Sequence, residues 1–157
     1  MRASRRSRPD SPPPSSAAAT AMGKANKSRD TGPELRLRSE LHRRGLRFRV
    51  HKCPEPGIRV RADIVFGPSR TAVFVDGCFW HACPDHGTLP KANRAWWREK
   101  LDANVARDRV ADAALSEHGW TVVRVWEHEP PGKAADRIEN CVRPIRPTVG
   151  NDEERPR

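Results

Sequence analysis

The sequence predicts an α/β domain in which a mixed sheet is flanked by helices, and three observations carry that expectation. Two apolar runs of strand length, residues 62–66 and 71–75, are separated by Gly67-Pro68-Ser69-Arg70, a turn signal that makes them a hairpin. A long helical pattern over residues 93–117 follows them, and a third β-branched run, Thr121-Val122-Val123-Arg124-Val125-Trp126, comes after it. The element order is then helix, three strands, helix, strand, helix, which describes a sheet covered by helices.

Each element has its own local reason. Residues 1–27 are Arg, Ser, Pro and Ala with almost no large apolar side chain, so they cannot bury enough surface to offset ordering entropy, and a disordered basic extension is expected there. Met22 would serve equally well as a start. Order should begin near Ser28. Thr31-Gly32-Pro33-Glu34 combines a hydroxyl N-cap, a Pro in the first turn and a Glu three residues after the cap, and Leu35, Leu37 and Leu41 lead to Gly45 as the stop. Leu46, Phe48 and Val50 alternate with Arg47 and Arg49, the pattern of a strand with one cationic face. Asp63 lies within the first hairpin strand, where Ile64, Val65 and Phe66 draw it toward partial burial.

On the long helix, Trp97, Leu101, Val105 and Leu115 mark an inward stripe that Asp108 shares, and Gly119 ends it. A carboxylate on that stripe needs a partner. A helix over residues 134–141 closes a domain of residues 28–146, and residues 147–157 are expected to form a loose tail.

Composition bounds the partners. The 157 residues allow one domain, and 30 Lys+Arg against 20 Asp+Glu give a formal net charge of +10. A polyanion is the natural partner for such a surface, with a merely solvated basic face as the plain alternative. No apolar stretch approaches the ~18 residues needed to span a bilayer, so no membrane role is expected. Cys53, Cys78, Cys83 and Cys141 follow no leader-like segment and have no dense framework spacing, which fits a reducing cytoplasm better than a secreted scaffold.

Residues 76–86 read Asp-Gly-Cys-Phe-Trp-His-Ala-Cys-Pro-Asp-His and emerge from the strand Ala72-Val73-Phe74-Val75. Strand ends are where rigid scaffolds present reactive groups. Cys83 and His86 stand three apart, close enough to grip one ion from a single loop. A closed tetrahedral site needs two more ligands, and Asp108 and His128 are otherwise awkward groups. The expectation is therefore a structural Zn²⁺ held by Cys83, His86, Asp108 and His128; the alternative leaves Cys83 a free thiol and the histidines on the surface. Cys78 reads as a small buried hydrophobe.

Arg29-Asp30-Thr31-x-x-Glu34, Ala62-Asp63, Asp76-Gly77-Cys78-Phe79-Trp80-His81, Trp97-x-Glu99-Lys100, Asn104, Arg107-Asp108-Arg109, Gly119-Trp120 and Val125-Trp126-Glu127 together resemble the very short patch repair (Vsr) mismatch endonucleases over roughly residues 28–130. The resemblance implies a restriction-endonuclease-like fold related to the PD-(D/E)xK nucleases. It implies a Mg²⁺-dependent nick beside a T:G mispair left by deamination of 5-methylcytosine in double-stranded DNA. It also implies a bacterial-type, nucleoid-associated enzyme with a functional link to a DNA cytosine methyltransferase; a monomer is the default expectation. Residue by residue, Asp63 matches the metal-binding aspartate, His81 the catalytic histidine and Glu34 the acid that reaches the metal site. Cys83, His86, Asp108 and His128 fall at or near the zinc positions, and Phe79, Trp80 and Trp97 match aromatics that wedge into DNA.

The chemistry asks for these residue types on its own terms. Phosphodiester hydrolysis builds negative charge, which Mg²⁺ on a hard carboxylate such as Asp63 offsets, and an imidazole such as His81 accepts a proton near neutral pH. Gly77 stands where a PD-(D/E)xK lysine would be expected. Where the best-known members of the family it resembles have a threonine whose carbonyl meets the metal, this chain has Val75, a change any backbone tolerates. Asp76 stands where those family members have a histidine, and is either a second metal ligand or a partner of His81. Glu34 is either the capping-box residue or a metal-site acid, and Trp80 and Trp97 are either wedges or core. Two further readings stay open: a zinc-stabilised DNA-binding module without catalysis, and a related nuclease acting on other DNA.

Overall fold

A computed structural model describes residues 29–143. The basic extension and the tail expected at residues 1–27 and 147–157 lie outside the described residues. Helix α1 (Gly32–Arg43), strands β1 (Arg49–Lys52), β2 (Ala62–Phe66) and β3 (Thr71–Asp76), helix α2 (Arg94–Glu117), strand β4 (Thr121–Trp126) and helix α3 (Pro131–Val142) follow in that order. The four strands form one sheet in the order β1-β2-β3-β4, antiparallel up to β3 and parallel between β3 and β4. A parallel pair needs a long crossover, and α2 supplies it.

Three layers result. Leu37 and Leu41 of α1 and Ala134, Ala135 and Ile138 of α3 pack on Ile64, Phe66, Val73, Val123 and Val125 of the sheet. On the other face Val65, Ala72 and Phe74 meet Leu115 and Trp120 at the end of α2. β2 and β3 are thus covered on both sides, which is why they read as continuous apolar runs rather than alternating ones.

Local signals explain the element ends. Thr31 Oγ1 accepts the Glu34 N–H at 3.5 Å and donates to Glu34 Oε1 at 3.1 Å, while Glu34 Oε2 accepts the Asp30 N–H at 3.0 Å. Gly119, at φ +78°, turns the chain from α2 into β4. The strand expected from Leu46 begins only at Arg49, opposite Val65; Leu46 and Phe48 pack against the core ahead of the ladder. Helix α3 starts at Pro131, three residues before the expected start, because Pro suits the first helical turn. No helix among the described residues is long and apolar enough to cross a membrane.

Candidate active site and metal centre

The end of β3, the loop after it and the middle of α2 converge on one edge of the sheet. Asp63, in β2, points beside β3, where its Oδ2 accepts the Val75 N–H at 2.7 Å. That leaves Oδ1 free of backbone. Burial pushes the Asp63 carboxyl up to about 6, against the pull of that backbone hydrogen bond and aided by the nearby acid Glu34. A carboxylate kept at this cost is relieved by a cation, and Oδ1 is a hard oxygen donor of the kind Mg²⁺ takes.

His81 follows on the loop, where its backbone N–H donates to Gly77 O at 3.2 Å. Its Nδ1 lies 2.6 Å from Asp108 Oδ2 and 3.7 Å from Asp76 Oδ1. The carboxylate fixes the ring proton on Nδ1 and leaves Nε2 as the acceptor. Trp80, His81, Asn104, Arg107 and Asp108 line one open groove of about 590 Å³, so the imidazole is reachable from outside.

Asp108 is therefore not a member of the cysteine and histidine group expected to hold zinc. Its helical stripe does face inward, but toward His81. The group that does assemble is Cys78, Cys83, His86 and His128, whose ligand atoms all lie within 4.8 Å of one another. Cys78 Sγ is 3.0 Å from His128 Nδ1, and Cys83 Sγ is 3.9 Å from both His86 Nδ1 and His128 Nδ1. Zinc bonds of about 2.3 Å to sulfur and 2.0 Å to nitrogen imply tetrahedral edges of roughly 3.3–3.8 Å, so the donor set fits that ion in chemistry and in span. Burial raises the Cys78 thiol to about 11, with Cys83 adding to the shift. Cys83, despite its burial, is drawn below the ordinary thiol value by hydrogen bonds from His86 and Asp85. Gly87 closes the loop, its N–H donating to Cys83 O at 2.8 Å, and a Cβ there would collide with that carbonyl.

Asp76 is buried, and Arg124 Nη1 donates to both of its oxygens, at 2.8 and 3.0 Å. Burial raises its carboxyl above the ordinary value. Glu34 is buried as well, and besides serving the helix cap it accepts from Arg38 Nη2 at 2.9 Å. Arg38 also reaches Asp30 at 2.6 Å and His51 at 3.0 Å, so its guanidinium occupies the second acid and histidine group among the described residues, Asp30, Glu34 and His51. His51 has φ +49° in β1, between Val50 and Lys52, which pair with Ile64 and Ala62, and its Nδ1 stands 4.0 Å from Asp63 Oδ1.

Phe79, Trp80 and Trp97 form one cluster of half-buried rings, with centroids 5.0, 5.3 and 6.0 Å apart. Trp96 joins it, 4.9 Å from Trp97. None of the four belongs to either core cluster.

Sequence reasoning missed four contributors. The Cys78 and Cys83 spacing, read together with His86, would have found the first. Trp96 was in view as the neighbour of Trp97. Arg124 and Arg38 carry no motif, since their partners come from other elements.

Comparisons with known proteins agree in kind. A family model described as DNA mismatch endonuclease Vsr matches residues 15–85. The type II nicking enzyme V.NaeI of Lentzea aerocolonigenes is 46% identical over 120 residues, 75% of this chain and 72% of its own length. V.XorIIP, a type II nicking enzyme of Xanthomonas oryzae pv. oryzae, is 42% identical over 121 residues, 75% of this chain and 87% of its own. The DNA mismatch endonuclease Vsr of Escherichia coli K12 is 43% identical over 103 residues, 64% of this chain and 63% of its own.

Proposed function

The chain belongs to the Vsr family of DNA endonucleases, and from that premise we propose that it nicks one strand beside a T:G mispair by Mg²⁺-dependent phosphodiester hydrolysis, with His81 as the general base. The observation that carries this reading is the 2.6 Å contact between His81 Nδ1 and Asp108 Oδ2 at the edge of an open groove.

Asp108 holds the ring proton on Nδ1, so Nε2 takes the proton of the attacking water. The imidazolium that forms is stabilised by the carboxylate already beside it. Asp63, through the oxygen that Val75 N–H does not use, and the Val75 carbonyl would hold Mg²⁺, which when bound offsets the negative charge growing on the phosphoryl oxygens. Glu34 stands near Asp63 and keeps two roles, cap and metal-site acid. Cys78, Cys83, His86 and His128 would hold a structural Zn²⁺ that pins the loop carrying His81 and the aromatic cluster.

Recognition follows from the same loop together with the start of α2. Phe79, Trp80 and Trp97 would enter the duplex at the mispair, where unstacking costs less than in matched DNA. The formal charge of +10 supplies phosphate contacts that are indifferent to sequence. Origin of the mispair in 5-methylcytosine, the link to a methyltransferase, a monomeric state, a cytoplasmic, nucleoid-associated setting and a domain spanning residues 28–146 belong to the same proposal. The non-catalytic alternative gives way to membership in an endonuclease family. The nuclease with another DNA target stays as the second reading, because several relatives are named only as nicking enzymes.

Nicking of a T:G duplex with Mg²⁺ by wild type and by His81→Ala tests the proposal. A loss of ~100-fold or more in the variant is expected; wild-type nicking by the variant removes His81 from the reaction.

A further inference from the structure

Arg124 stands in β4 opposite Phe74 of β3, with its guanidinium carbon 4.8 Å from the Phe74 ring centroid. From there it reaches three carboxylates. Nη1 donates to both oxygens of Asp76 at 2.8 and 3.0 Å, and Nε and Nη2 donate to Asp112 Oδ2 and Oδ1, each at 2.8 Å. Nη2 also lies 3.6 Å from Asp108 Oδ1. Its side chain is only 24% exposed and that of Asp76 only 6%, so the contacts are sheltered from water.

Two of those three acids border His81. Asp108 Oδ2 takes Nδ1 at 2.6 Å, whereas Asp76 Oδ1 waits at 3.7 Å. A buried carboxylate with no counter-charge of its own beside an imidazole N–H would compete for it, because unpaired charge in such a place is costly. Asp76 is held back from it: Arg124 Nη1, shared between both of its oxygens, offsets its charge and fixes the carboxylate with Oδ1 3.7 Å from Nδ1. The same guanidinium ties Asp108 and Asp112, one turn apart on α2, to the end of the sheet.

We propose that Arg124 is a positioning residue of the nicking reaction: by binding both oxygens of Asp76 and bordering Asp108, it leaves His81 with Asp108 as its single partner and the imidazole with a single orientation. The proposal rests on the reading of His81 as the base. Lysine cannot replace Arg124, because an ammonium lacks the planar fork that serves Asp76 and Asp112 at once.

The test uses full-length, zinc-replete protein and a T:G duplex with Mg²⁺, measuring kcat and KM separately on variants shown to be folded. Arg124→Met and Arg124→Lys are expected to lower kcat by ~10-fold or more with KM near wild type. Adding Asp76→Leu to Arg124→Met removes the competing acceptor and should bring kcat back to within ~10-fold of wild type, a coupling that only interacting residues show. A folded Arg124→Met protein with wild-type kcat overturns the proposal, as does an effect on KM alone. A double variant no faster than the single one also overturns it. If Arg124→Met does not fold, the double variant, which carries no unpaired buried acid at position 76, decides alone: a loss beyond ~10-fold overturns the proposal. His81→Ala run alongside separates the two readings. Wild-type nicking by it defeats the base assignment, whereas its loss together with full activity in Arg124→Met defeats only the role given to Arg124.

Discussion

Asp108 Oδ2 lies 2.6 Å from His81 Nδ1, joining the middle of α2 to the loop after β3 across 27 positions of sequence. The contact gives the imidazole one tautomer and a ready counter-charge, so Asp108→Asn should lower nicking by ~100-fold while bound zinc stays at the wild-type level. Single-turnover nicking with elemental analysis checks both parts. Loss of zinc in that variant would return Asp108 to the metal centre.

Asp63 makes stability depend on pH in the Mg²⁺-free protein. Its carboxyl is raised to about 6 in the fold, from an ordinary value of 3.8. Between those two values the unfolded chain has already lost the proton that the folded chain keeps, so folded stability falls as pH rises through this window. The penalty is then fully present above pH 6 and reaches up to ~3 kcal/mol. Asp63→Asn should remove nicking yet raise Tm at pH 7.5, with little change at pH 4. Thermal unfolding at the two values, with zinc retained and Mg²⁺ removed, reads the difference.

The metal centre predicts a different pattern. Cys78→Ser and His128→Ala should each reduce zinc well below one equivalent and cost ~2 kcal/mol or more, roughly 8 °C or more in Tm. Cys53→Ser, at an exposed thiol outside the cluster, is the control. Full zinc and unchanged Tm in the Cys78 variant would exclude it as a ligand.

How far the sequence reached is clearest at these residues. The hairpin was legible because Gly67-Pro68 punctuates two runs of strand length, and α2 because one apolar stripe ends at Gly119. The start of β1 was not, since side-chain alternation from Leu46 onward marks core packing while backbone pairing begins only at Arg49. Helical periodicity turned Asp108 inward, but periodicity cannot choose between a metal and His81 as the group it meets. Cys78 was hidden for the opposite reason: a buried thiol beside Phe79 and Trp80 looks like core until His128, 50 positions away, is placed 3.0 Å from it.

The aromatic cluster bears on recognition. Trp80→Ala should reduce the preference for T:G over matched duplex by ~10-fold, while the salt dependence of non-specific binding stays near wild type because the Lys and Arg phosphate contacts remain. Competition binding at several salt concentrations measures both. Unchanged preference in Trp80→Ala and in Trp97→Ala would make these rings part of the packing alone.

The central claim, a Mg²⁺-dependent nick directed by a T:G mispair, is tested most directly by mapping cleavage on a panel of T:G, matched and otherwise mispaired duplexes, with and without Mg²⁺. A single nick in one strand beside the mispair is expected, on T:G duplexes and only with Mg²⁺. Equal cutting of matched DNA, or nicking that persists without Mg²⁺, would contradict it.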